Sequence, residues 1–289
     1  MIRTLILILV IIAISSSVLY ACSSGGEGAD TTDETLEVSL SAYFYSAGKA
    51  DAALLTTENG TVLVDAGEKG YGKEIVSYLE GIGRTKIDYL IITHFDKDHV
   101  GGAAKVIKSL DISNVLQSNY PKDSDEYSNY LDALSEAPVT PVTVRDTYEF
   151  ELDGVTFSVD PPAEEEYSHD PSNNSSLILT VKCGSETLLF MGDAENERMA
   201  EFINKGLAVD CAFMKIPHHG RWDKNLAGLI EKTNPEYAVI TSSDDEPEDD
   251  ETVDLLTSSG TATYFTKNSP VVLTCDGKSL TLEYDGDTE

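Results

Sequence analysis

Basic residues are scarce in this sequence. Twenty lysines and arginines stand against 51 aspartates and glutamates, a formal charge of −31 over 289 residues. Such a chain does not draw nucleic acid or anionic lipid by its overall field, so a polyanionic substrate would need a local cationic centre, and metal ions are the obvious supply. Cysteine is also sparse, at four. Setting aside Cys22, which follows the N-terminal apolar run, Cys183, Cys211 and Cys275 remain, each inside or beside an apolar stretch. An odd number excludes a full disulfide framework, leaves room for one bridge, and favours buried free thiols; none has the spacing of a thiolate metal site. Long hydrophobic runs are missing apart from Leu5 to Ile14. As a helix that run rises about 15 Å, short of the ~30 Å bilayer core. With Arg3 before it and Ser15 to Cys22 behind, residues 1–21 read as a secretory signal peptide and not as a permanent span.

Leu19-Tyr20-Ala21-Cys22 resembles the bacterial lipobox, whose cysteine is lipidated and becomes the mature N-terminus. That resemblance implies an extracytoplasmic, membrane-anchored bacterial lipoprotein with Cys22 as the lipidation site; the alternative is an ordinary secreted protein. An acyl chain gains about 0.8 kcal/mol per buried methylene, so a multiply acylated cysteine would anchor firmly. Residues 22–35 are small, polar and acidic, cannot bury a core, and read as a flexible tether.

From Leu36 the texture becomes strand-like. Leu36 to Phe44 alternates, and Ala52 to Thr57 leads through Glu58-Asn59-Gly60 into Thr61-Val62-Leu63-Val64. An Asn-Gly pair between two apolar runs is a strong hairpin signal. A helix is predicted over Lys73 to Leu79, a buried strand over Ile87 to Ile92, a helix onward to about Leu110, a short strand at Val115-Leu116, and an amphipathic helix over Ser124 to Ala137. In the second half Tyr148 to Leu152 turns at Asp153-Gly154 into Val155 to Val159, and Leu177 to Lys182 pairs with Thr187 to Met191. Helices over Glu195 to Asn204 and near Asn225 to Lys232 flank a strand at Ala212 to Ile216. Tyr237 to Thr241, Thr263 to Phe265, Val271 to Cys275 and Ser279 to Tyr284 supply closing strands. Hairpins followed by helices in both halves predict an α/β class, with two packed sheets, helices outside, and one domain over residues 36–289. The acidic run Asp244 to Glu251 reads as an exposed loop without EF-hand spacing.

The chemistry concentrates in Thr93-His94-Phe95-Asp96-Lys97-Asp98-His99-Val100-Gly101-Gly102. Four metal-ligand residues within six positions follow a buried strand and open into a helix, which is where α/β proteins place reactive side chains. The bland alternative is a polar turn capped by Asp98. Three more apolar strands end in ligand-type residues: Asp65 after Val62-Leu63-Val64, Asp193 after Leu188 to Gly192, and His218-His219-Gly220 after Phe213 to Pro217. Singly each is weak, since Asp193 can merely cap a helix; together they form an ordered set.

This set resembles the metallo-β-lactamase fold, whose signature loop is usually His-x-His-x-Asp-His. Asp96 in place of the second histidine is similar to the β-lactamase-like domain of the competence DNA-uptake protein ComEC. So are Lys49-Ala50-Asp51-Ala52, Asn173-Asn174-Ser175-Ser176 and Ile216-Pro217-His218-His219-Gly220. The resemblance implies a four-layer αβ/βα sandwich with two divalent metal ions at one edge. His94 and Asp96 would hold one ion, Asp98 and His99 the other, with Asp193 bridging and His219 completing the second. Asn173 would stand where a further histidine serves the first ion, with His169 a less favoured substitute. His218 would face substrate, Asp65 would orient a ligand histidine, and Asp51 and Ser176 would stand behind the ligands or against substrate. On that resemblance Asp98, Asp193 and His218 would carry the catalytic roles. Two ions ~3.5–4 Å apart activate a shared water and clamp the attacked and leaving oxygens. Asp96 hardens the first position and tilts it from zinc toward manganese or magnesium.

The reaction expected from this resemblance is hydrolysis of a phosphodiester, with DNA among the candidate substrates and no protein partner predicted. Arg221 could contact a phosphate, while the acidic run beside it would oppose a long polyanion more than a small diester. Lactone or β-lactam hydrolysis, and a non-catalytic metal-binding or ligand-binding lipoprotein, are the alternative readings.

Overall fold

Alternating and wholly apolar runs build two sheets in a computed structural model that describes residues 38–286. The expectations for residues 1–21, the tether at 22–35 and Cys22 lie outside the described residues. The first half runs β1 (Leu40–Phe44), β2 (Ala53–Thr56), β3 (Thr61–Val64), α1 (Gly72–Gly81), β4 (Lys86–Ile92), α2 (Lys97–Val100), α3 (Ala103–Ser109), β5 (Asp111–Gln117), α4 (Asp125–Glu136) and β6 (Val142–Thr143). The second runs β7 (Tyr148–Leu152), β8 (Val155–Asp160), α5 (Pro171–Asn174), β9 (Ile178–Cys183), β10 (Glu186–Phe190), α6 (Asn196–Asn204), β11 (Phe213–Lys215), α7 (Leu226–Thr233), β12 (Tyr237–Ile240), α8 (Asp250–Ser259) and β13 (Ala262–Phe265). Two closing strands, β14 (Val271–Cys275) and β15 (Leu280–Tyr284), return to the first sheet.

Both sheets follow one plan. In the first, ordered β15-β14-β1-β2-β3-β4-β5-β6, an antiparallel meander gives way to parallel strands from β3 onward. In the second, ordered β13-β12-β11-β10-β9-β8-β7, the change comes at β10. The C-terminal ends of β3 and β4 therefore meet those of β10, β11 and β12, and loops leaving parallel strands are where such sheets bind ligands.

Side-chain alternation assigns the layers. Val62 and Val64 of β3 enter the core between the sheets with Phe44, Phe157, Phe190 and Phe213, whereas Leu63 between them packs outward with Ile75 and Leu79 of α1. On the second sheet Leu189, Met214 and Ile240 pack outward against Met199, Phe202, Leu229 and Leu256 of the helices. Strands buried on both faces read as continuous apolar runs. The order is helix, sheet, sheet, helix, a four-layer α/β sandwich of the metallo-β-lactamase type anticipated from the motifs. Cys183 and Cys275 are buried free thiols at the ends of β9 and β14, one in each sheet, and Cys211 is a third.

At the Asn59-Gly60 hairpin close approach, not positive φ, requires glycine, since a Cβ there would lie 2.6 Å from Thr57 Oγ1. Two expectations change. The helix after the His94–His99 loop is two short helices, α2 and α3. The acidic run is a loop only as far as Asp249, because Asp250 and Glu251 form the first turn of α8, where negative charge complements the helix dipole.

The two hairpin turns also clasp each other. Asp153, with Gly154 in the left-handed pair of a type I′ turn, accepts from Thr57 Oγ1 (2.6 Å), Asn59 N (2.8 Å), Asn59 Nδ2 (3.1 Å) and Gly60 N (3.1 Å). The hydrogen bond from Thr57 and those from Asn59 hold the Asp153 carboxyl down at about 2. A depressed folded-state pKa contributes stability above the unfolded value near 3.9 that is lost as pH falls through about 2. Asp153→Ala should therefore lower the urea midpoint at pH 6, with the difference from wild type closing as pH falls from 4 to 2. A pH-independent difference would contradict the clasp.

Candidate metal centre

The His94–His99 loop is fixed before it reaches the site. Asp65, at the end of β3 with φ 57°, accepts from Thr93 N (2.8 Å) and Thr93 Oγ1 (2.7 Å), and its Oδ2 lies 2.8 Å from His99 Nδ1. Ala66 N donates to His99 O at 2.8 Å. From the other sheet, Asp193 N donates to Ser176 Oγ at 3.1 Å, and Gly192 (φ 54°) allows the approach: a Cβ there would meet Ser176 Cβ at 3.0 Å. His218 and His219 both take left-handed φ, 47° and 55°, after β11. Such backbone costs of order 1–3 kcal/mol per residue and persists where surrounding structure fixes it, here aiming adjacent imidazoles to different places.

Five of the expected ligands converge. Asp193 Oδ2 lies 3.0 Å from His219 Nε2, 3.2 Å from His99 Nε2 and 4.0 Å from His94 Nε2, and Asp98 Oδ2 lies 3.5 Å from His219 Nε2. Ligand atoms of His94, His99 and Asp193 all fall within 4.8 Å of one another, as do those of Asp98, His99 and His219. All five side chains are buried. The Nε2 atoms of the three histidines and Oδ1 of Asp193 nevertheless have no hydrogen-bond partner, because their approaches lack hydrogen-bond alignment. Buried polar atoms are almost always satisfied, so four orphans in one cluster need a partner. The outer nitrogens of two rings are already occupied: His99 Nδ1 faces Asp65, and His219 Nδ1 lies 3.2 Å from Thr241 Oγ1 and 3.5 Å from Asp51 Oδ1. Carboxylate or hydroxyl behind an imidazole is the arrangement that presents Nε2 to a cation. Imidazole and carboxylate donors together fit a divalent ion.

Electrostatics agree. Burial alone would lower the His219 pKa, but the neighbouring carboxylates of Asp193, Asp51 and Asp98 raise it to about 10. His99 rises well above its ordinary value, against burial, through Asp193 and Asp65. The carboxyls of Asp98 and Asp193, which burial would raise, are pushed down by these imidazoles. Lysines at the edge of the cluster and protons on His99 and His219 balance these acids, while burial lowers the His94 pKa, and a divalent ion would displace the protons.

The remaining predicted residues divide. His218 sits at the mouth, Nδ1 3.2 Å from Glu195 Oε1 and Nε2 3.3 Å from Asn173 Nδ2. Ser176 Oγ also lies 3.4 Å from His94 Nδ1. Asp96 stands outside every ligand group, ion-paired with Lys122 Nζ at 2.6 Å and accepting from Ser172 Oγ. Asn173 directs its amide nitrogen to Glu195 Oε1 (3.0 Å) and His218, and His169 is exposed beside Glu197. Arg221 is tied to Asp249 at 3.0 Å. Sequence reasoning gave no role to four residues. Lys49 Nζ lies 3.2 Å from Asp98 Oδ2, Lys122 holds Asp96, and Thr241 bridges Asp51 to His219. The fourth is Lys215, 4 % exposed, paired with Asp51 and 3.8 Å from Asp193 Oδ1. Its signal was visible: a lone lysine in the apolar run Phe213-Met214-Lys215-Ile216 cannot be buried without a carboxylate. Removing one partner of such a pair costs about 3–5 kcal/mol.

Comparison with known proteins bears on this geometry. The family model described as "Metallo-beta-lactamase superfamily" matches residues 46–242. The chain is 26% identical over 172 residues to ComE operon protein 3 of Bacillus subtilis, covering 59% of this chain and 22% of that one. It is 26% identical over 200 residues to competence protein ComA of Neisseria gonorrhoeae, covering 68% and 26%. It thus spans about a quarter of the length of these curated relatives. Among solved structures, the metallo-β-lactamase fold protein YhfI from Bacillus subtilis superposes with a TM-score of 0.53 at 12% identity, over 83% of this chain and all of that one, a likeness of fold.

The Asp65–His99 contact generates a test. Asp65→Asn keeps the hydrogen bond from Thr93 N but turns an N–H toward His99 Nδ1, which places the ring proton on Nε2. Zinc affinity, read by chelator competition, should fall about 10–100-fold with the fold intact. Unchanged affinity would remove Asp65 from the metal centre.

Proposed function

We propose that this chain, which belongs to the metallo-β-lactamase superfamily of hydrolases, works as a metal-dependent phosphodiesterase of the ComEC-like kind, held at the outer face of a bacterial membrane. The observation that carries the reading is the cluster of unpartnered His94, His99 and His219 Nε2 atoms around Asp193. A divalent cation held by these residues and Asp98 would supply Lewis acidity and an activated water at neutral pH. The protein's own part is positional. Asp65, Asp51 and Thr241 fix the ligand rings from behind, and Ser176 holds the Asp193 backbone. His218, oriented by Glu195 and Asn173 and partly open at the mouth, is placed to hydrogen-bond a substrate oxygen. Export and a lipid on Cys22 complete the proposal for residues 1–35.

Kinship to proteins named for competence brings DNA into the candidate substrates. A small phosphodiester is favoured by the acidic run, which packs directly on the site: Asp249 N donates to Gly220 O at 3.1 Å, and a Cβ on Gly220 would lie 2.9 Å from Glu248 Cβ. Glu246, Glu248 and Asp249 are paired with Lys49, Lys267 and Arg221, so cations that might grip a phosphate backbone are already engaged.

Manganese-loaded protein should cleave bis(4-nitrophenyl) phosphate, and Asp98→Ala should abolish the reaction. Plasmid DNA should be cut more slowly, with steep salt sensitivity. Metal binding without turnover of diester, DNA or lactone would select the non-catalytic reading, and lactone turnover alone would replace the phosphodiester.

A further inference from the structure

We propose that the centre takes one cation, and that the Lys122 ammonium stands in for a second by neutralising Asp96. The inference rests on the metal-centre reading above and departs from the two-ion arrangement that the motif resemblance implies. A second position would draw on His94, Asp96, the bridging Asp193 and one more ligand. Asp96 Oδ1 is taken twice, by Lys122 Nζ at 2.6 Å and by Ser172 Oγ, and Lys122 Nζ is itself held by Ser172 Oγ at 3.1 Å. This closed triangle leaves the carboxylate with a charge partner of its own. The further ligand is also missing: Asn173 turns its amide nitrogen, a donor, toward His218 and Glu195, and His169 lies on the surface against Glu197. His94, the one histidine the second position would have, already shares a ligand group with His99 and Asp193, so the first ion draws on it too. Among the described residues, every unpartnered buried imidazole nitrogen belongs to the single cluster around Asp193.

Lys122 differs from the other lysine at the loop. Lys49 pairs with Asp98, yet Asp98 also faces His219 Nε2 at 3.5 Å and is part of a ligand group, so a cation can replace that ammonium without finding new ligands. At Asp96 a cation taking the place of Lys122 would have only Asp96 to itself and would share His94 and Asp193 with the first ion, so it would bind more weakly. A lysine supplies a single positive charge and three donors but no open coordination position, so it neutralises the acid and forms no second metal site.

Equilibrium dialysis against manganese or zinc, followed by elemental analysis, tests the count independently of activity. Wild type should saturate at one ion per chain. Lys122→Met, at a partly exposed position, should gain a second, weaker ion, and Lys122→Met/Asp96→Asn should return to one. Two ions in wild type, or a single ion persisting in Lys122→Met, would overturn the proposal while leaving the metal centre standing. No bound ion in wild type would overturn both.

Discussion

Everything at this site depends on what balances a carboxylate buried among three imidazoles. Asp193 comes from the second sheet, His94 and His99 from the first, and His219 from the strand beside Asp193, so the charges meet only because the sheets do. Burying Asp98 and Asp193 together is costly unless cations join them, and lysines, protonated histidines and a metal ion are the available forms. The molecule uses lysines at the periphery, with Lys215 on Asp51, Lys49 on Asp98 and Lys122 on Asp96, and leaves the centre to histidines whose inner nitrogens have no partner.

The fold meets this requirement by repetition. Each sheet changes from antiparallel to parallel pairing, and each delivers its reactive residues from the C-terminal ends of the parallel strands. Packing of Phe44 against Phe190 and Phe213, with ring centroids 5.9 and 5.3 Å apart, locks the two sheets together just behind those ends. Left-handed backbone at Asp65, His218 and His219 then aims the side chains, with strain borne by the strands that hold them.

Much of this was legible in the sequence because each main ligand ends an apolar strand. Asp65, His94, Asp98, His99, Asp193 and His219 all follow buried runs, and two periodicities separate the inward from the outward residues of β3. What was hidden depends on distance along the chain. Lys122 lies 26 residues from Asp96, on a loop with no local sign of its partner. Thr241 is one threonine among many until β12 settles beside β11. Asp96 looked equivalent to its neighbours by spacing alone; folding separates it, because it is the extended cap of α2 while Asp98 and His99 lie on the helix itself. The acidic run misled in the same way, since charge pattern does not show that Glu246, Glu248 and Asp249 are paired with lysine or arginine.

X-ray absorption spectroscopy of the zinc-loaded protein tests the central claim most directly. The account predicts a first shell of nitrogen and oxygen at about 2.0–2.2 Å with the multiple-scattering signature of three imidazoles, His94, His99 and His219. A shell of oxygens with no imidazole, as an ion on the acidic run would show, would contradict it.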